Sequence, residues 1–145
     1  MIHKGQLKRL IDETLREYCL YSDNALELVY GTIIQESRRG TYIRQASKNF
    51  DIYKHAIGIA QCEFNTFSWL QKVYNNRFSL ALIRFEELEY NLKYSILFCR
   101  LRYLIDPEPI PDTLEGQAKM WKRVYNSVLG KGTEEEYINN YNKYS

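Results

Sequence analysis

The chain has 145 residues, 45% hydrophobic and 26% charged, which is enough for one core of its own and too apolar for a disordered segment. Lys and Arg number 20 against 18 Asp and Glu, a formal net charge of +2, which excludes the strongly basic face of a nucleic-acid-binding protein. Cys19, Cys62 and Cys99 are odd in number and widely spaced, and His3 and His55 stand far apart; neither a disulfide framework nor a metal cluster is expected, only reduced, buried thiols and no cofactor.

The N-terminus lacks the apolar run of a signal peptide, and no apolar stretch approaches the length of a membrane span. The product is expected to be left in the cytoplasm that makes it. Residues 6–20 carry Leu7, Leu10, Ile11, Leu15 and Tyr18 on one stripe, the pattern of an amphipathic helix. Ser22 or Asp23 caps a second helix, whose apolar stripe is Ala25, Leu28, Val29, Thr32 and Ile33. Glu36 falls on that same stripe, and Gly40 ends the helix. Residues 41–57 show no sustained periodicity and read as a long loop or small β-hairpin, a length that in a compact domain points to function.

Helical pattern resumes from Glu63 to Tyr74 and breaks at Asn75-Asn76. A short helix over 79–89 and a longer one over 90–105 follow, the latter apolar all round and therefore central. Pro107, Pro109 and Pro111 make an extended connector. Thr113 opens a further helix with Ala118, Trp121, Val124 and Tyr125 inward, and Thr133 opens a last one with acids at its positive end. The expected fold is mostly α, a single domain over 1–145 with about six to seven helices and one long loop after Glu36.

A carboxylate on an apolar helix face must find partners or keep its proton. At a helix C-terminus the dipole disfavours the anion further. Two readings of Glu36 follow: a buried ion pair with Arg38, Arg39 or Arg44, or a carboxyl held protonated for acid catalysis.

The order of motifs around Glu36 resembles the soluble lytic transglycosylases and the related goose-type lysozymes. Glu36-Ser37 closes an apolar helix, and Ala56-Ile57-Gly58-Ile59-Ala60-Gln61 follows the loop, with Thr66 five positions beyond Gln61. Tyr125-Asn126 corresponds to a later Tyr-Asn pair of that family. Trp121-Lys122-Arg123-Val124-Tyr125-Asn126 and Gly130-Lys131-Gly132-Thr133 are similar to segments of small phage and prophage proteins. Ile59-Ala60 stands where the family has Leu-Met, and the loop between Glu36 and Gln61 is longer than in many members.

The resemblance implies a lysozyme-like fold and cleavage of the MurNAc-GlcNAc bond of peptidoglycan by one acid/base, Glu36. It also implies substrate contacts from Gly58, Gln61, Tyr125 and Asn126, with Ser37 orienting Glu36. A phage-encoded muralytic protein is expected, released through a holin-type route or carried in the virion beside other phage virion proteins. The alternatives are a hydrolase with Glu63 as second carboxylate, or an inactive virion subunit of the same fold. An inverting hydrolase holds its two carboxyls roughly 6.5–9.5 Å apart around a water. The 13 tyrosines read mostly as composition, with Tyr42, Tyr53 and Tyr125 as the ones placed to meet sugar.

Overall fold

In the computed structural model, which describes residues 1–145, the first apolar stripe forms α1 (Lys4–Glu17). His3 starts it: its Nδ1 accepts the Gly5 N–H at 3.2 Å. The helix stops short of the expected residue 20 because Cys19 turns left-handed (φ 57). The Leu20 N–H then reaches back to the Leu15 carbonyl at 2.8 Å, a Schellman-type end. This turn carries Cys19 into solvent, so the expectation of buried thiols holds for Cys62 and Cys99 and fails for Cys19.

Helix α2 (Asp23–Ser37) begins where Ser22 Oγ accepts the Ala25 N–H at 3.0 Å. Leu28, Val29, Tyr30, Ile33 and Ile34 are fully buried, because α1, α5 and α7 pack around it. It ends in three consecutive left-handed residues, Arg38 (φ 49), Arg39 (φ 56) and Gly40 (φ 77). Such backbone costs about 1 kcal/mol or more at each non-glycine position, and local bonds hold it. Ser37 Oγ donates to the Ile33 carbonyl at 3.0 Å and accepts the Gly40 N–H at 2.9 Å. Arg39 is clasped by Ile2: the Ile2 N–H donates to its carbonyl and its Nε donates to the Ile2 carbonyl, both at 2.8 Å.

The long loop that follows forms no strand. Its hairpin is reduced to isolated antiparallel bridges, Arg44 with Ile57 and Ile57 with Cys62. Ile57, Ile59 and Ala60 are buried, which makes the end of the loop a packed wall of the core.

Helix α3 (Phe64–Phe78) runs through Asn75-Asn76 rather than breaking there. Its last turn is held by aromatic packing, with Phe78 5.9 Å from Tyr74 and 6.1 Å from Tyr18 between ring centroids. The helix expected over 79–89 is only the single turn α4 (Glu87–Tyr90). The residues before it wrap around Gln71, whose amide donates to the Leu80 and Ile83 carbonyls at 2.9 Å each, so their backbone follows a side chain and not a helical ladder.

Helix α5 (Leu92–Leu104) is central, as its composition predicts. Ile96, Cys99 and Tyr103 face α1 and α2, while Leu97, Phe98 and Leu101 face α3 and the turns after it. Helix α6 (Leu114–Met120) leads straight into a π-helical turn, Trp121–Asn126, closed by the Ser127 N–H on the Lys122 carbonyl at 2.8 Å. Helix α7 (Glu134–Tyr144), capped by Thr133, lies across α2. Gly31 permits the crossing, since a Cβ there would overlap the Tyr137 hydroxyl. The domain is thus mostly α, with seven α-helices and no strand. No helix is long and apolar enough to cross a membrane.

Candidate active site

The last turn of α2 carries Glu36, and the π-helical turn brings Trp121 to it across 85 residues of sequence. The Trp121 indole N–H donates to Glu36 Oε2 at 3.1 Å. Trp121 itself is fully buried and packs on Tyr137, ring centroids 5.4 Å apart. A buried indole needs an acceptor for its one donor, and the carboxyl supplies it. Burial pushes the Glu36 carboxyl up from its ordinary 4.5 to about 7, against the Trp121 bond, which favours the anion; the nearby charge of Glu63 pushes in the same direction as burial.

None of the three arginines neutralises Glu36. Arg44 forks onto Glu89 with both contacts at 2.9 Å. Arg39 is spent on the carbonyls of Ile2 and Tyr144, and Arg38 lies over the Tyr144 ring. The buried ion pair offered by the sequence is therefore not formed. Glu36 is a half-buried acid whose protein contact is a neutral donor.

Beside it opens a cleft of about 190 Å³, walled by Gln61, Glu63, Thr66, Arg102, Tyr125 and Asn126. Three elements build it. The wall of the long loop gives Gln61, held in a left-handed conformation (φ 52) with its amide donating to the Gly58 carbonyl at 3.0 Å. The N-terminal end of α3 gives Glu63 and Thr66. The π-helical turn gives Tyr125 and Asn126. A π-helical ring is wider than an α-helical one and often marks a functional position. Here its first residue, Trp121, reaches Glu36, while Tyr125 stacks on Tyr103 at 5.4 Å and donates to the Ala60 carbonyl at 2.6 Å. Asn126 accepts from Lys122 Nζ at 2.7 Å, and the same ammonium donates to the Gly130 carbonyl at 2.9 Å, which ties the following turn to the cleft. Glu36 is not part of its lining, and lies close enough for the charge of Glu63, which is, to act on it.

Four of the seven residues singled out from the sequence thus line one cleft, Gln61, Glu63, Tyr125 and Asn126, and Glu36 lies within reach of the charge of Glu63. The other two do not join them. Ser37 is buried, and its hydroxyl is consumed by the Ile33 carbonyl and the Gly40 N–H; it shapes the turn after Glu36 and does not orient the carboxyl. Gly58 is buried too, and a Cβ there would run into the Leu88 carbonyl and Ser95 Oγ. Its smallness, with φ at +82, lets the loop close on α4 and α5, not on a sugar. Tyr42 and Tyr53 are exposed, and neither lines the cleft.

Trp121 and Arg102 are the functional candidates that sequence reading misses. Trp121 counts as core by its spacing, and only its unplaced N–H signals a polar partner. Arg102 lies on a helix that reads as apolar all round.

No family model, no curated protein and no solved structure matches this chain.

Proposed function

We propose that this protein cleaves the glycan strands of peptidoglycan as a lytic transglycosylase, with Glu36 as the single acid/base. One observation carries the reading: a carboxyl raised to about 7, with no cation on it, beside a polar cleft. Cleaving a glycosidic bond near neutral pH needs an acid that still holds its proton to give to the leaving oxygen. Glu36 has that property because burial outweighs the Trp121 bond.

In the forward step Glu36 gives its proton to the oxygen between N-acetylmuramic acid and N-acetylglucosamine. The bond from the muramyl anomeric carbon to that oxygen breaks and N-acetylglucosamine leaves with a free 4-hydroxyl; the Glu36 carboxylate then takes the proton of the muramyl 6-hydroxyl as its oxygen closes on the anomeric carbon. The product is a 1,6-anhydro ring, and Glu36 regains its proton. Gln61 and Asn126, amides fixed at the cleft wall by backbone and Lys122 bonds, are suited to hold acetamido and hydroxyl groups. Tyr125 supports the acid's surroundings through its bond to the loop wall. The resemblance of the motifs to phage proteins supports a substrate in a host cell wall, reached after release or from the virion.

A hydrolase is the second reading, favoured by one observation: Glu63 lies in the cleft wall with its charge acting on Glu36. Mass analysis of fragments released from purified sacculi separates the two. The transglycosylase releases muropeptides with 1,6-anhydromuramic ends, lighter by one water than the reducing ends a hydrolase leaves. Reducing ends alone would reject the transglycosylase in favour of Glu36 with Glu63.

A further inference from the structure

The side chains of three arginines in this protein make no hydrogen bond and no ion pair: Arg38, Arg77 and Arg102. Arg38 and Arg77 are exposed, where water satisfies them. Arg102 is half-buried and lines the cleft. Burying part of a guanidinium without a partner costs free energy, and the fold does not remove that cost from within: Glu63, the acid in the same cleft wall, forms no ion pair with it.

The group is also held in place. Arg102 lies over the ring of Trp69, Cζ 5.2 Å from the ring centre, a cation–π contact that takes up none of its N–H donors. Trp69 is 41% exposed, an unusual position for an indole with no partner beyond this arginine. On α5, Phe98 and Arg102 are one turn apart and both line the cleft; on α3, Thr66 lines it and Trp69 comes one turn later. The cleft therefore continues between α3 and α5 to an oriented, unpaired guanidinium on an aromatic plate.

We propose that Arg102, seated on Trp69, is a carboxylate-binding subsite that reads the acidic peptide stem of the glycan substrate. This rests on the muralytic reading of the same cleft and extends it from the sugar to what the sugar carries. A planar fork matches a carboxylate through two parallel N–H···O bonds, which a point charge cannot reproduce. A stemless glycan whose lactyl carboxyls are capped as amides lacks the group, so the subsite separates stem-bearing glycan from capped, stemless glycan.

The test uses binding and not turnover. Protein carrying Glu36→Gln is titrated with two probes: a tetrasaccharide muropeptide bearing its stem peptides, and the same glycan with the stems removed by an amidase and the lactyl carboxyls this frees capped as methylamides. Adding Arg102→Gln should weaken binding of the stem-bearing glycan by about 10-fold or more, the order for a charge-assisted pair, and leave the stemless glycan unchanged. Arg102→Lys should recover only part of the loss. Unaltered binding of the stemless glycan shows that the variants fold. Equal losses on both probes, or none on either, overturn the carboxylate subsite while leaving the muralytic reading in place. Failure of the Arg102-intact protein to bind either glycan overturns both.

Discussion

Glu36→Gln should reduce release of muropeptides from purified sacculi by about 1,000-fold, within the range that a positioned general acid contributes. The substitution is nearly isosteric, and the amide oxygen still accepts the Trp121 N–H that Glu36 Oε2 takes at 3.1 Å. What it removes is the transferable proton and the carboxylate that receives it back. Zymograms of wild type and variant at equal loading give the comparison. Equal clearing by both proteins would show that another residue supplies the proton, and clearing by neither would leave the fold without the activity assigned to it.

The same substitution should make the protein more stable at alkaline pH. In the unfolded chain Glu36 loses its proton near its ordinary 4.5; in the fold it holds it to about 7. Between those values the native state binds more protons than the unfolded state, so stability falls as pH rises through this window. Below about pH 4.5 both states are protonated and nothing is lost. Above about pH 7 the full cost of ionising a buried carboxyl is present, about 3 kcal/mol for that difference. Glutamine carries no such slope. The melting temperatures of the two proteins should coincide near pH 4 and diverge by roughly 8 °C at pH 8, with the variant higher. Parallel curves across the range would mean that Glu36 is not held above its ordinary value. The gain in stability accompanies the loss of activity, as expected where a site keeps an unfavourable charge for its chemistry.

The helices were legible because their apolar periodicity is strong, and α5 reads as central from its lack of a polar face. The boundaries that shifted did so for tertiary reasons. Asn75-Asn76 fails to end α3 because Tyr74 and Phe78 have aromatic partners to pack on. The residues after 79 fail to form a helix because Gln71 captures their carbonyls. Neither contact leaves a local signature.

At the site, Glu36 was visible as an acid on the wrong face of its helix, a conflict between periodicity and charge. Its true partner was not. Trp121 reaches the carboxyl from the point where α6 widens into a π-helical turn, and nothing in Trp121–Asn126 announces that change of pitch. The motifs give Gly58 a contact with substrate and Ser37 a hold on Glu36, yet each serves backbone: Ser37 the left-handed turn after α2, Gly58 the approach of the loop to α4 and α5. Proximity in sequence to a catalytic residue is weaker information than the accounting of backbone hydrogen bonds, which assigns both residues their work. Arg102 was hidden by the opposite effect, a charge on a buried helix whose exit to a cleft depends on where α3 lies.

An NMR titration of the Glu36 side-chain carboxyl carbon tests most directly that this acid keeps its proton near neutral pH, with Glu36→Gln assigning the resonance. A midpoint near 7 is expected, set by burial against the Trp121 bond. A midpoint near 4.5 would contradict it, leaving an ordinary carboxylate and no acid for the glycosidic oxygen.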